Sequence, residues 1–198
     1  DKTGDKSLSE IVKSFLKTKY SKPGNVYLGI PHRLDRPTSG VVIFAKTSKC
    51  LSRLNKLFKD GKVQKYYWAI TKNKPEKPED TLIHWLRKNE KTNKSTHFKK
   101  ETTKAKKAVL HYKVLKKLER YFVIEIELET GRHHQIRCQL KAIGCPIKGD
   151  LKYGYDRSNE DGGIDLHAKK IIFEHPVNGK KIIIDAPVRD TKIWNAAK

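Results

Sequence analysis

The sequence predicts an α+β fold, a largely antiparallel mixed β-sheet core with flanking helices. Two observations carry this. Strand-like segments follow one another in hairpin order, whereas the 3.6-residue helical period is confined to a few short stretches. Only 36% of the residues are hydrophobic and 33% are charged, yet the apolar residues are gathered into periodic segments, the pattern of a folded chain with a heavily charged exterior. A length of 198 residues demands no second domain, so residues 1–198 are read as one.

Taken in order, Leu8, Ile11, Val12, Phe15 and Leu16 fall at helical spacing, and Ser7 with Glu10 forms a capping-box pattern, which predicts an amphipathic helix over about 8–20 ended by Ser21 to Gly24. Val41 to Ala45 reads as a nearly unbroken apolar strand. Ser48 is expected to cap a second helix whose Leu51, Leu54, Leu57 and Phe58 face the core. Val63 to Thr71 is rich in β-formers and alternates, with Tyr67 and Ala69 on one face and Tyr66 and Trp68 on the other. Residues 72–107, crowded with Lys, Asn, Thr and Glu, are read as short irregular strands within mobile loops. Ala108 to Lys117 and Tyr121 to Thr130 form a hairpin. His134 to Ile143 is a helix stopped by Gly144, and Tyr153 to Gly163 is a surface loop. Strands at Ile164 to Ala168, Lys170 to Glu174 and Lys181 to Asp185 complete the expectation, the last two joined by a turn at His175 to Gly179.

The formal charge of +22 implies a polyanionic partner, and nucleic acid is favoured. No apolar run approaches the roughly 20 residues needed to span a bilayer, so no membrane association is expected. A lysine-rich surface without a partner would carry the same charge, but arginine is more selective: four of the nine, Arg33, Arg36, Arg132 and Arg137, fall within two short motifs. Arginine suits bidentate phosphate or carboxylate contacts where lysine does not. Cys50, Cys138 and Cys145 are odd in number and form no C-x-x-C pair, which reads as reduced thiols in a cytoplasmic protein, with neither disulfides nor zinc.

Chemistry concentrates at His32-Arg33-Leu34-Asp35-Arg36-Pro37-Thr38-Ser39-Gly40, where one acid stands between two guanidinium groups. Nearby positive charge favours the carboxylate, which can act as nucleophile or base; on spacing alone a surface ion pair explains the pattern equally well. Lys65-Tyr66-Tyr67-Trp68-Ala69, Thr130-Gly131-Arg132-His133-His134-Gln135-Ile136-Arg137 and Gly144-Cys145-Pro146-Ile147-Lys148-Gly149-Asp150 follow, then Leu166-His167-Ala168 and His175-Pro176. In this order the segments resemble the RluA-type pseudouridine synthases, over about residues 30–190.

The resemblance implies an RNA pseudouridine synthase, cofactor-independent and without metal, acting on uridines of structured ribosomal or transfer RNA, and a monomer is expected. It implies Asp35 as the essential carboxylate, Arg137 as its charge partner and Tyr67 as the residue stacked on the target base. His32 and Arg33 would fill the space left by an extruded uridine; Arg36, Thr38 and Arg132 would hold the RNA, and Ile136 would floor the pocket. The adjacent pair His133-His134 is a poor metal site, since neighbouring histidines do not readily share one ion and no third ligand stands at suitable spacing. His111, His167 and His175 are read as structural. Compared with the family, no S4-type RNA-binding domain and no opening strand bearing a Lys-Pro motif precede the first helix, so a catalytic domain lacking its N-terminal strand or two is expected. A non-catalytic RNA-binding module of the same fold is the competing reading; a metal-dependent nuclease fails for want of clustered carboxylates.

Overall fold

A computed structural model describes residues 4–198. Helix α1 (Leu8–Lys19) and a two-residue strand β1 (Ser39–Gly40) precede α2 (Ser48–Lys59). Strands β2 (Gln64–Thr71), β3 (Glu79–Asn89), β4 (Lys94–Phe98), β5 (Lys106–Lys117) and β6 (Phe122–Leu128) then lead to α3 (Gln135–Ala142) and a single 3-10 turn, Leu151–Tyr153. Strands β7 (Leu166–Glu174) and β8 (Lys181–Asp185) and helix α4 (Lys192–Ala197) close the chain. The sheet runs β1-β7-β2-β6-β5-β3-β4 with β8 also against β7, and among the described residues only β1–β7 is parallel. The α+β, mostly antiparallel expectation is therefore met.

One sheet face carries the main core: Ala69, Leu110, Ile124, Ile126, Leu128 and Leu166 pack against Ile136 and Leu140 of α3. Beside it, Ile171 and Phe173 of β7 meet Leu54 of α2. The opposite face buries Ile70 and Val123 under Trp194 of α4, a helix with no sequence expectation, too short to display a period. Asp165 anchors it, accepting from Trp194 Nε1 at 3.0 Å, Arg189 Nη2 at 2.7 Å and Lys148 Nζ at 2.9 Å.

Several segments differ from expectation for physical reasons. Val41 to Ala45 is not a strand: Val41 N–H still bonds Ala168 O at 3.0 Å, but further along β7 the same edge belongs to β8, so the chain peels away and Ala45 bridges only to Gly29. Thr47, not Ser48, caps α2, accepting from Cys50 N–H at 3.1 Å. Residues 79–98 form one long regular hairpin rather than irregular pieces. Only Leu82, Leu86 and Ser95 of its strands are buried, so an outer hairpin decorated with Lys, Thr and Asn carries almost no apolar alternation. The two strands expected over 164–174 are one, with a bulge opposite Tyr66 and Tyr67. The capping box of α1 is present, with Glu10 N–H on Ser7 Oγ and Ser7 N–H on Glu10 Oε2, but only Leu16 of its apolar face is buried; Leu8, Ile11 and Phe15 are exposed. No helix among the described residues is long and apolar enough to cross a membrane.

Candidate active site

The loop bearing Asp35 is tied down at several points before it enters β1. Thr38 N–H closes a turn onto Asp35 O at 2.9 Å, and Ile164 N–H donates to Pro37 O at 2.9 Å. Gly40 then pairs with Ala168 at φ +116°, and a Cβ there would lie 2.3 Å from Ala168 O, so the position excludes any side chain. The loop thus lies across the junction between the α2 and α3 layers, with His32 stacked on Phe58 of α2 at 4.9 Å.

Beneath it lies a pocket of about 230 Å³, lined by Asp35, Tyr67, Leu128, His134, Ile136 and Arg137 among others. That is below the roughly 300–1,000 Å³ usual for small-molecule sites and suits a single planar ring. Tyr67, not its neighbour Tyr66, faces the pocket because β2 alternates and Tyr67 shares the α3 face with Ala69. Leu128, Ile136 and Leu166 give the pocket an apolar floor.

Arg137 is buried and meets Asp35 through Nη1 to Oδ2 at 3.4 Å. Its stronger bonds go elsewhere: Nε to Asp150 Oδ2 at 2.7 Å and Nη2 to Asp150 Oδ1 at 2.8 Å, a bidentate pair that fixes the guanidinium plane. Burial works against the charge on Arg137, but the Asp150 bonds outweigh it and the pKa is raised. A second group also faces Asp35 Oδ2, His134 Nε2 at 3.6 Å. Oδ1, in contrast, has no hydrogen bond among the described residues.

His134 stands at the head of α3 with φ +51°, a left-handed conformation uncommon outside glycine, and its ring lies face to face with His133 at 3.8 Å. Burial, then the neighbouring Arg137, pull its pKa down to about 3, so it is neutral at physiological pH. Tyr67 is pushed up to about 12, first by burial and then by the Asp35 charge, and remains a neutral phenol. Lys65 also lines the pocket, its pKa lowered by burial, and it has no hydrogen bond or ion pair among the described residues.

The structure therefore brings together Asp35, Tyr67, Arg137, Ile136, Thr38, Arg33 and Arg132 around one pocket. Thr38 Oγ1 is buried there without a partner among the described residues. Arg132 Nε is engaged with Lys107 O at 2.8 Å. His32 lines the pocket but is occupied: Ile43 N–H donates to its Nε2 at 2.9 Å, and burial, then Lys65, lowers its pKa to about 4. Arg36 does not reach this pocket; it lines a neighbouring cavity under α1 and pairs with Asp5 at 2.6 Å. His167 is structural, between Ser39 Oγ and Ala186 O, as expected.

Sequence reasoning missed four residues. Asp150, the last residue of the Gly144 to Asp150 motif, holds Arg137. His134 reads from sequence only as half of a poor metal site, yet it faces Asp35. Tyr153, assigned to a surface loop, is 1% exposed and bonds His134, with Arg137 lying 5.0 Å over its ring. Lys65 opened a motif without being given a role.

The family described as RNA pseudouridylate synthase matches residues 3–142. The tRNA pseudouridine synthase C of Vibrio parahaemolyticus is 32% identical over 178 residues, 81% of this chain and 72% of that one. The ribosomal large subunit pseudouridine synthase C of Rickettsia conorii is 38% identical over 152 residues, 75% of this chain and 50% of that one. This chain spans about half the length of several such relatives. The solved structure of human RNA pseudouridylate synthase domain containing 4 superposes with a TM-score of 0.78 over 98% of this chain and 83% of that one, at 22% identity, a shared fold. Together with the order of its motifs, these similarities mean that the chain belongs to the RNA pseudouridylate synthases, in the RluA-type branch.

Proposed function

We propose that this chain isomerises specific uridines of ribosomal or transfer RNA to pseudouridine, with Asp35 as the essential carboxylate. One observation carries the reading: Oδ2 of Asp35 faces Arg137, while Oδ1 is left unbonded beside a pocket with an apolar floor and a volume suited to one ring. The named activities of the Vibrio and Rickettsia relatives, on tRNA and on the large ribosomal subunit, support the substrate class.

The reaction breaks the N1–C1′ bond of uridine and forms C5–C1′, with C5 losing a proton and N1 gaining one. Nothing is oxidised or reduced. The base must detach, turn and reattach without escaping, which favours a closed apolar space over an open groove. Attack of Asp35 on C6 of the base, attack on C1′ of the sugar and removal of the C2′ proton all start from the same carboxylate. Tyr67, a neutral phenol at working pH, serves as the stacking surface for the loose base. Because a paired uridine must leave its helix to reach Asp35, Arg33, which has no hydrogen bond or ion pair among the described residues, is suited to enter the vacated stack. Lys65 and Arg132, which line the pocket, supply phosphate contacts in this reading.

The test is release of tritium from RNA labelled at uracil C5, comparing wild type with Asp35→Asn. Release by the wild type and none by the variant is expected. Release that survives in Asp35→Asn removes Asp35 from its role, and no release by the wild type from any cellular RNA leaves an RNA-binding module of the same fold.

A further inference from the structure

The hydrogen bonds around Asp35 determine where protons sit, and they run to a strand far from the motif. Tyr153 Oη accepts from the backbone N–H of Ser95 at 2.8 Å. Its single proton is then available to the other neighbour, His134 Nδ1, at 3.0 Å. A ring that accepts at Nδ1 and is neutral must carry its hydrogen on Nε2, and Nε2 is the atom turned toward Asp35 Oδ2. His133 is set by the same serine in the opposite sense. Ser95 Oγ donates to His133 O at 2.7 Å, so it accepts from His133 Nδ1 at 2.9 Å.

We infer that Tyr153 and His134 are positioning residues for Asp35: the Ser95 N–H to Tyr153 Oη to His134 Nδ1 chain locks His134 as the Nε2–H tautomer, which holds Oδ2 alongside Arg137 and presents Oδ1 to the substrate. The inference rests on Asp35 being the essential carboxylate. At 3.6 Å the last link is open in the free protein; bonds of this kind tighten when substrate fills the pocket. The left-handed backbone of His134 fits this role, since it is the local cost of turning that ring inward at the start of α3. A metal-ligand role is not available to Nδ1, which the tyrosine occupies.

Two measurements test it. In protein labelled with ¹⁵N-histidine, His134 at pH 7 should give the spectrum of a neutral ring protonated at Nε2, identified by loss of its signals in His134→Gln; a ring protonated at Nδ1, or at both nitrogens, overturns the inference. Kinetics with uridine-containing RNA should show kcat for Tyr153→Phe down by about ten- to a hundredfold with KM nearly unchanged, as a small misplacement of a reacting group produces. Because losing the hydroxyl orphans Ser95 N–H and could weaken folding, a second pair of variants separates position from structure. Asn suits a left-handed backbone and can keep the Tyr153 bond, whereas Gln extends an N–H toward Asp35. His134→Gln retaining more kcat than His134→Asn is expected; the reverse order, or an unchanged kcat in Tyr153→Phe, overturns it. An inactive wild type would instead refute the enzyme reading, and the positioning role with it, while the tautomer remains readable by NMR.

Discussion

Replacing Asp150 by Asn tests whether Arg137 is held mainly from behind or by Asp35. The side chain of Asp150 is about 1% exposed and takes two of the guanidinium's bonds at 2.7 and 2.8 Å. Removing one member of such a buried pair leaves an uncompensated charge, typically costing about 3–5 kcal/mol. For a chain of this size each kcal/mol lowers Tm by about 2–4 °C, so a fall of roughly 6–20 °C is expected. Asp35 is a weaker partner at 3.4 Å with its side chain 21% exposed, and Asp35→Asn should cost no more than about 1 kcal/mol. Urea unfolding of both variants against wild type gives the comparison, and turnover should also fall in Asp150→Asn with RNA binding retained, because the guanidinium loses its plane. Asp150→Asn unfolding within about 0.5 kcal/mol of wild type, or Asp35→Asn costing as much as Asp150→Asn, would refute the argument.

Gly40→Ala should destabilise the fold by on the order of 3 kcal/mol, since it adds strain at φ +116° and drives a Cβ into the Ala168 backbone; a urea midpoint equal to wild type would contradict the placement of β1. Acid should weaken the protein through two buried histidines. Burial, reinforced by Arg137 for His134 and by Lys65 for His32, keeps the two rings neutral in the folded state down to about pH 3 and 4, while in the unfolded chain they take protons near 6.5. Stability is therefore full above pH 6.5 and declines as pH falls from there toward about 4 for His32 and about 3 for His134, by at most about 1.4 kcal/mol per unit for each ring. Thermal melts at pH 7, 6 and 5 should show the slope, flattened in His134→Gln; a flat profile in wild type would contradict it. Lys65→Met should lower the slope of log affinity against log salt by about 0.7 without changing Tm, as loss of one single-strand phosphate contact does. An unchanged slope would assign Lys65 to something other than phosphate.

Local pattern carried much of this protein. The capping box at Ser7, the alternation that puts Tyr67 on one face with Ala69, the helix after His134 and the sheet class were readable from short segments and their order, because each depends on neighbours two to four residues away or on the succession of elements. Motif order likewise singled out Asp35 among 22 acidic residues and Arg137 among 44 basic ones. Legibility failed where the deciding partner is distant. The apolar run after Gly40 looks like a strand, but whether it pairs depends on β8 having taken the edge of β7, about 140 positions later. The β3–β4 hairpin has too few buried side chains to show a period.

Asp35 illustrates the division most directly. Its proposed role as the reactive acid rests on the motifs that the sequence shares with a known family, since residue type by itself sets only what a carboxylate, a phenol or a guanidinium can do. Its companions were decided by the fold. The adjacent Arg36 turns away to Asp5, Arg137 arrives from 102 residues along with its plane fixed by hydrogen bonds to Asp150, and His134 is held by Tyr153, which in turn accepts from the backbone of Ser95. Charge is a property of a residue, but a partner is a matter of position, and position here is set by an eight-stranded sheet that brings four separate segments to one pocket.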